Sequence, residues 1–358
     1  MYCDFYSILH DPSLAGRYID ILLNQVASAK GPFSTVYIGG GTPTAIDAGH
    51  LERLLKTVVA GSATGAEFTV EANPESLDDG KIKLLLDNGV NRLSVGVQSL
   101  DDRKLKRLGR VHDARKAREA VNLAAKRGFK NISADIIFGV WSEGVPGWKK
   151  ELDDIVNLPV SHVSCYALTY EKGTPIFAAL SNKSVLTLED DIVAAMYETA
   201  IDSLALRGFK QYEVSSFAKE GYRCAHNLNY WDNSQYVGLG ASAVSYLDGE
   251  RVRNVADVME FIKRSEDGSS LADSVEKLSP VRRARETAAV KIRTRDGIDF
   301  IWFKERTGFD FTELEKKAVA ELIDKGLIKY KRSGNIPSGI ALKRKGFLHC
   351  DTVSSALL

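Results

Sequence analysis

The stretch that decides the fold is Thr35-Val36-Tyr37-Ile38-Gly39-Gly40-Gly41-Thr42-Pro43-Thr44, in which a short β-rich run meets a glycine turn. An amphipathic helix precedes this run, and the order of helix, glycine and strand recurs along the first two-thirds of the chain. The predicted strands are Thr35–Ile38, Glu67–Val70, Arg92–Val97, Ile132–Phe138 and Val163–Leu168. This alternation predicts an α/β fold, either a βα barrel or a doubly wound sheet.

Capping residues mark the predicted helix starts, and the strands between the helices are nearly continuous apolar runs. Such runs are typical of parallel strands that are covered on both faces. The residues predicted to cap or precede helices are Asp11-Pro12, Asp47, Ser76 with Asp79 as a capping box, His112-Asp113 and Thr187.

The composition excludes several classes of protein. The chain has 358 residues, a formal net charge of +1 and 44% hydrophobic residues. The small charge argues against binding nucleic acid by bulk electrostatics, and the apolar content argues against disorder. No apolar run approaches the ~18–20 residues that span a bilayer, and no secretory signal opens the chain. We therefore expect no stable membrane insertion. Four cysteines are too few for a disulfide scaffold, so we expect a cytoplasmic protein.

Three parts differ in sequence style. The βα repeats occupy residues 1–217, a segment rich in Gly, Asn, Tyr and Ser occupies 218–275, and residues 276–358 carry short helices followed by two strands. Helices followed by a hairpin predict a mostly helical, winged-helix-like domain. Its basic residues could contact nucleic acid, but lysines that guard an exposed hairpin edge are the simpler interpretation, so we expect no nucleic-acid partner.

Residues suited to a polar ligand follow the predicted strands. The glycine turn lets the backbone approach a ligand, and Glu71, Gln98 and Arg110 follow the next two strands. Asp135 lies inside an apolar run, where a carboxylate needs a partner. Because the carboxyl ends of barrel strands meet at one edge, we expect one pocket there. The set suits a zwitterionic nucleoside, although each residue alone also has a structural interpretation.

Seven motifs together resemble one known family. They are YCDF (2–5), GGGTPT (39–44), EANPE (71–75), GVQS (96–99), LGRVH (108–112), ADIIFG (134–139) and HNLNYW (226–231). The series is similar to the radical S-adenosylmethionine (SAM) proteins related to oxygen-independent coproporphyrinogen III oxidase. Within that group it most resembles the HemW-type haem chaperones, over essentially the whole chain.

The resemblance implies a partial (βα)6 barrel that holds a [4Fe–4S] cluster and SAM. Tyr2 and Phe5 belong to the cofactor-binding set as well. Phe5 stands where the oxidases have a further cysteine, which favours the chaperone branch over porphyrinogen decarboxylation. By motif position, the residues of the SAM pocket are Gly40, Gly41, Thr42, Glu71, Gln98, Arg110, Asp135 and Ala167.

The cluster motif is incomplete in this sequence. Three cysteine thiolates would leave one iron open to SAM, but only the third cysteine, Cys3, is present. The second would fall directly before Met1, and the barrel's first strand is missing as well, so we expect a clipped start. Cys165, Cys224 and Cys350 lack the spacing of cluster ligands, and we do not expect this chain alone to assemble a normal cluster.

A second candidate site is the segment Cys224–Trp231. A lone histidine is as often a satisfied hydrogen-bonding residue, and Tyr230 and Trp231 also suit interface packing. The resemblance favours a haem site with His226 as axial ligand and Cys224 as a weaker candidate for a second. It predicts a chaperone that passes haem or a porphyrin to an unidentified acceptor protein. The alternatives are a radical enzyme acting on a porphyrinogen and a fragment without function.

Overall fold

The computed structural model describes residues 2, 4, 6, 8 and 11–358. Its largest element is a seven-stranded sheet whose first five strands are parallel and stand in chain order. These are β1 (Phe33–Ile38), β2 (Ser62–Ala72), β3 (Arg92–Gln98), β4 (Asn131–Phe138) and β5 (His162–Ala167). An antiparallel ribbon beside β5 consists of β6 (Lys210–Gln211) and β7 (Ser216–Ala218). The predicted α/β fold, a partial barrel of parallel strands, is confirmed.

Helices connect the strands and cover the outer face of the sheet. They are α1 (Pro12–Ser28), α2 (Ala48–Ala60), α3 (Asp79–Asp87), α4 (Asp102–Arg107), α5 (Ala114–Arg127), α6 (Val145–Val156), α7 (Pro175–Ser181) and α8 (Asp190–Leu206). The side chains of Asp11, Asp47 and Asp113 each accept a backbone N–H at the start of α1, α2 and α5. These three predicted caps are confirmed.

The predicted capping box at the start of α3 is wrong. Asp78 caps this helix by accepting the backbone N–H of Lys81. Ser76 instead ends a short 3-10 turn, where its hydroxyl donates to the carbonyl oxygen of Asn73. The local hydrogen bond satisfies Ser76 and leaves the cap to the aspartate two residues later.

The two faces of the parallel strands differ in polarity. The face toward the helices packs into the main core with Phe68, Val70, Leu93, Val95, Ile132, Ala134 and Val163. The alternate positions face the barrel interior and are Thr35, Tyr37, Glu67, Thr69, Glu71, Arg92, Ser94, Ser133, Asp135, His162 and Ser164. The interpretation of these strands as continuous apolar runs is therefore wrong. Successive side chains point to opposite faces, and only one face packs on helices.

The middle segment adds a small antiparallel sheet that the sequence did not predict. Its strands are β8 (Val244–Leu247), β9 (Glu250–Asn254) and β10 (Ala272–Lys277), and they lie in the order β10-β9-β8. The helices of this segment are α9 (Ala225–Trp231) and α10 (Val258–Asp267). Phe261 of α10 packs on Tyr18 of α1 with ring centroids 5.7 Å apart, so α10 contacts the first described helix.

The C-terminal part has the predicted helices followed by a hairpin. A third strand, Ile298–Asp299, pairs with the second strand of the hairpin, Ile336–Leu342, so the hairpin belongs to a three-stranded sheet. One basic residue of this part, Arg344, forms an ion pair with Asp202 of α8, in which its guanidinium lies 2.7 Å from the carboxylate. The elements are α11 (Pro280–Lys291), β11 (Ile298–Asp299), α12 (Phe300–Thr307), α13 (Phe311–Leu314), α14 (Lys316–Asp324), β12 (Ile328–Ser333), β13 (Ile336–Leu342), α15 (Arg344–Leu348) and α16 (Cys350–Ala356).

Among the described residues, no helix combines the length and the apolar character that crossing a membrane requires.

Candidate functional site

Glu71 stands at the carboxyl end of β2 and links the first two strands to the glycine turn. Its Oε1 accepts a hydrogen bond from the Tyr37 hydroxyl at 2.8 Å, and its Oε2 accepts the backbone N–H of Gly40 at 3.2 Å. Burial raises the pKa of Glu71, and the Tyr37 hydrogen bond opposes that rise. A β-carbon built on Gly39 would lie 2.6 Å from the Glu71 carboxyl carbon, so this wall depends on the glycine.

Gly40 and Gly41 leave space in front of that wall. The backbone of Gly40 has φ +82°, in the left-handed region that favours glycine. A β-carbon built at either position would meet no atom of the described residues within 4 Å. A ligand can therefore approach the backbone closely at both positions.

A chain of hydrogen bonds joins the glycine turn to Arg110. The Asn73 amide donates to Thr42 Oγ1 at 2.7 Å, and Arg110 Nη2 donates to Asn73 Oδ1 at 2.6 Å. Arg110 Nη2 also lies 3.7 Å from Glu75 Oε1. Its Nε is buried and has no hydrogen-bond partner in the described part of the chain. Arg110 thus retains a donor for a further acceptor such as a carboxylate.

Gln98 ends β3 next to Asn73. Its backbone has φ +60°, an uncommon value for a residue with a β-carbon. A β-carbon built on Gly96 would lie 2.8 Å from both Asn73 Oδ1 and Gln98 Nε2. The glycine therefore makes room for both amides on the inner face of the strand.

Asp135 faces the barrel interior from the middle of β4. Its Oδ2 accepts a hydrogen bond from Ser94 Oγ at 2.8 Å, and its Oδ1 accepts one from Ser133 Oγ at 2.9 Å. The carboxylate also raises the pKa of Glu71, so the two acids share one region of the interior. The partners that a buried acid requires are thus Ser94 of the neighbouring strand β3 and Ser133 of the same strand, β4.

The remaining predicted pocket residue, Ala167, is exposed at the end of β5 and pairs with Phe138 of β4. Tyr2 packs at the same edge, because it contacts a small apolar cluster between the LGRVH segment and the end of β4. That cluster consists of Leu108, Ile137 and Val140. Cys3 and Phe5 lie outside the described residues.

His226 lies on α9, apart from this edge, and its imidazole contacts the inner face of β1. Its Nδ1 is 2.9 Å from Thr35 Oγ1, and its Nε2 is 3.1 Å from the Tyr230 hydroxyl. The ring stacks on Tyr37 with centroids 5.1 Å apart. Burial lowers the pKa of His226, which favours the neutral imidazole.

Glu67 and Cys224 hold the start of α9. The Glu67 carboxylate accepts the backbone N–H of Ala225 at 3.0 Å and of His226 at 2.9 Å. Cys224 is the N-cap, since its sulfur accepts the N–H of Asn227 and its thiol donates to Glu67 at 3.4 Å. Burial raises the pKa of Cys224 to about 12, so the neutral thiol is favoured over a thiolate ligand.

An aromatic strip continues from His226 toward β8. We define it as His226, Tyr230, Tyr236 and Tyr246. The centroids of Tyr230 and Tyr236 are 4.6 Å apart, and those of Tyr236 and Tyr246 are 6.1 Å apart. Tyr230 is 38% exposed, so the strip reaches the surface.

The described part of the chain contains no group of three or more His, Cys, Asp or Glu side chains that could hold a metal ion. Cys165, Cys224 and Cys350 are free and buried. Burial raises the pKa of Cys350 to about 11 and raises that of Cys165 as well. These three thiols are therefore unsuited to act as cluster ligands.

Sequence and structure comparisons agree on the class of protein. The radical SAM superfamily matches residues 1–144, and the HemN C-terminal domain matches residues 278–348. The structure of coproporphyrinogen III oxidase (HemN) from Escherichia coli superimposes with a TM-score of 0.84 at 19% identity, covering 99% of this chain and 86% of that one. The fold is thus that of a radical SAM protein with a HemN-type C-terminal domain.

Sequence relatives that match most of this chain identify the family within that class. The haem chaperone HemW of Bacillus subtilis (strain 168) is 34% identical over 100% of this chain and 95% of its own length. That of Lactococcus lactis is also 34% identical, over 91% of this chain and 86% of its own length. The HemW of Escherichia coli (strain K12) is 35% identical over 70% of this chain. The chain belongs to the haem chaperone HemW family.

Several residues of the site were missed by the sequence analysis. Asn73 lies inside a quoted motif but was not singled out. The others are interior residues of the strands, namely Thr35, Tyr37, Glu67, Ser94 and Ser133. The alternation of polar and apolar residues along each strand was the signal that could have identified most of them.

Proposed function

We propose that this protein binds haem through His226 and passes it to an acceptor protein. The observation that carries the proposal is the position of the His226 imidazole, anchored at Nδ1 by Thr35 with Nε2 directed toward the partly exposed Tyr230. An axial histidine needs one ring nitrogen free for iron and the other held by a hydrogen bond. His226 has this arrangement once the Tyr230 hydroxyl moves away.

The proposal fixes the tautomer of His226. Nδ1–H donates to Thr35 Oγ1, and the lone pair of Nε2 accepts the Tyr230 O–H. Burial lowers the pKa of the ring, which favours an unprotonated Nε2. Tyr230 therefore acts as a removable cap on the nitrogen that would bind iron.

The surroundings of His226 fit a flat apolar macrocycle. The aromatic strip offers aromatic rings beside the proposed ligand, and Tyr230, the ring next to His226, is 38% exposed. Cys224 is the less suitable ligand, because its thiol caps α9 and bonds Glu67. We therefore assign one protein ligand, His226, to the haem.

SAM fits the other site, at the carboxyl edge of the parallel strands. Gly40, Gly41 and Thr42 would face its amino-acid part, which the open space at both glycines supports. Arg110 Nε is a buried donor that no described residue accepts, so it could bond the SAM carboxylate, and Glu71 and Asp135 offer acceptors. Gln98 and Ala167 would complete the pocket. Bound SAM would supply a sulfonium group to which a one-electron donor could transfer an electron.

A [4Fe–4S] cluster does not fit the described residues, because they include no group of three metal-binding side chains. We therefore derive no step through a cluster.

We retain the three-part division at residues 217 and 275 as a proposal. In support, the strands of the described residues fall into three separate sheets, of which one comprises β1–β7, the second β8–β10 and the third β11–β13.

An anaerobic experiment tests this function against enzymatic porphyrinogen oxidation. The purified chain is titrated with haem, then mixed with apomyoglobin as a probe acceptor and, separately, assayed with SAM, a reductant and coproporphyrinogen III. Stoichiometric haem binding with transfer, and without porphyrinogen turnover, is the expected result. Porphyrinogen turnover without haem binding would overturn the proposal in favour of the enzyme.

A further inference from the structure

A buried chain of hydrogen bonds connects Asp135 to the start of α9, and its intermediate residues have no part in the proposed function. His162 is its central member, with Nδ1 2.8 Å from Ser133 Oγ and Nε2 2.8 Å from the Tyr212 hydroxyl. Ser133 donates onward to Asp135 at 2.9 Å, and the backbone N–H of Cys224 donates to the Tyr212 oxygen at 3.3 Å. Ser133, His162, Tyr212 and Cys224 are each 0% exposed.

The direction of every bond in this chain follows from the chemistry of its ends. The Asp135 carboxylate can only accept, so the single hydroxyl proton of Ser133 is committed to it. His162 Nδ1 must then donate to Ser133, which leaves a lone pair on Nε2 for the Tyr212 O–H. Burial lowers the pKa of His162 far below its ordinary value, in agreement with this neutral tautomer.

We propose that His162 is a positioning residue for α9, the helix that carries His226. Through Tyr212 it connects the start of α9 to Asp135 of the proposed SAM pocket. The inference rests on the proposed role of His226. All donors point from α9 toward Asp135, so the position of Tyr212 depends on the tautomer that Asp135 imposes on His162. An imidazole suits this place because it donates at one end and accepts at the other.

This link supplements the contacts of Glu67 at the same helix terminus. Glu67 accepts the N–H groups of Ala225 and His226 from β2, while Tyr212 accepts that of Cys224 from the β5 side. The backbone N–H groups of three consecutive residues, the N-cap Cys224 and the first two residues of α9, are thereby held from two sides of the barrel. Because His226 is the third of these residues, the placement of its ring depends on both sets of contacts.

Two serines on one carboxylate provide a matched pair of variants. Ser133→Ala interrupts the chain, whereas Ser94→Ala removes the bond to the other oxygen of Asp135 and leaves the chain intact. A third variant, Tyr212→Phe, removes only the hydroxyl that receives the Cys224 amide. Thermal unfolding by circular dichroism checks that each variant folds. If Ser133→Ala does not fold, Tyr212→Phe is the variant that tests the proposal.

The first readout is amide hydrogen exchange of Cys224 in the haem-free protein, measured by NMR. We expect Ser133→Ala and Tyr212→Phe to accelerate it about five- to tenfold, the ratio for one net hydrogen bond, and Ser94→Ala to change it less than about twofold. The second readout is haem affinity, measured from the Soret band. We expect Ser133→Ala and Tyr212→Phe to weaken haem binding more than Ser94→Ala does.

The outcomes separate the two proposals. A wild-type protein that binds no haem would overturn the proposed function, while the exchange of Cys224 would still decide the role of His162. Equal effects of Ser133→Ala and Ser94→Ala on that exchange, or unchanged exchange in Tyr212→Phe, would overturn the positioning role. Altered exchange without a change in haem affinity would overturn the link to haem alone.

Discussion

The Nδ1 atom of His226 lies 2.9 Å from the hydroxyl oxygen of Thr35, which belongs to the first described strand of the barrel. The two residues are 191 positions apart in the sequence. A histidine on the helix that follows the barrel is thus held from within the barrel. This contact gives the radical SAM fold a part in forming the proposed haem site, independent of any cluster.

The Thr35 hydroxyl is expected to set the orientation of the haem ligand. Thr35→Val keeps the shape of the side chain and removes the acceptor for His226, so the haem Kd should rise about two- to tenfold. Thr35→Ser retains the hydroxyl and should stay near the wild-type Kd. Soret titrations of the three proteins measure this, and equal Kd values for the Val and Ser variants would argue against the anchor.

Tyr230 is expected to slow haem association, because its hydroxyl occupies His226 Nε2 at 3.1 Å. Tyr230→Phe removes that bond and should raise the association rate constant about two- to tenfold. Tyr236→Phe changes the next ring of the aromatic strip and serves as the control. Stopped-flow mixing with haem gives both rates, and the capping role is wrong if the two variants behave alike.

His162 should make folding stability depend on pH. Its pKa is lowered in the folded protein by burial and by Arg92, whereas in the unfolded chain it is about 6.5. Below that value only the unfolded state binds the proton, so the contribution of His162 to stability falls as pH falls, by up to about 1.4 kcal/mol per pH unit.

Urea unfolding of the wild type and of His162→Gln between pH 8 and pH 5 measures this dependence. Each protein's free energy of unfolding at pH 8 is its own reference. We expect the wild type to lose more stability than the variant across the range. Parallel pH profiles would show that His162 titrates alike in both states.

Lys104 of α4, which pairs with Glu151 of α6 and with Glu143 just before that helix, should be needed for the stability of the folded protein. It is 2% exposed, and its ammonium group lies 2.6 Å from Glu143 and 2.8 Å from Glu151. Lys104→Met would leave two buried carboxylates without their cation, at a cost of about 3–5 kcal/mol in the free energy of unfolding. Lys83→Met, at an exposed pair with Asp87, should cost less than about 1 kcal/mol. Chemical denaturation compares the two, and similar losses would contradict this account.

The sequence alone was sufficient to locate the five parallel strands and three helix caps, whereas the choice of a barrel over a doubly wound sheet came from the family resemblance. The predicted caps were correct because the short side chain of an aspartate before an amphipathic run can accept a free backbone N–H group of the first helical turn. These caps are Asp11, Asp47 and Asp113. The start of α3 was misplaced, since Ser76 and Asp78 offer equivalent local signals and only tertiary contacts distinguish them.

The interior of the barrel could not be predicted in the same way. The bond from Thr35 to His226 and the chain from Asp135 to Cys224 join residues that are distant in sequence. Such contacts follow from how the sheet curves and from where α9 packs, and no local pattern encodes either. The polar alternation along each strand indicates that the interior is polar, but it does not say which residues meet.

The most direct test of the central claim is haem titration of His226→Ala beside Cys224→Ser, with circular dichroism to verify folding. The account predicts that His226→Ala raises the haem Kd at least about tenfold and shifts the Soret maximum, because the axial ligand is lost. Cys224→Ser retains a helix cap and should keep the wild-type spectrum and Kd. An unchanged Soret spectrum and Kd in His226→Ala would contradict the account.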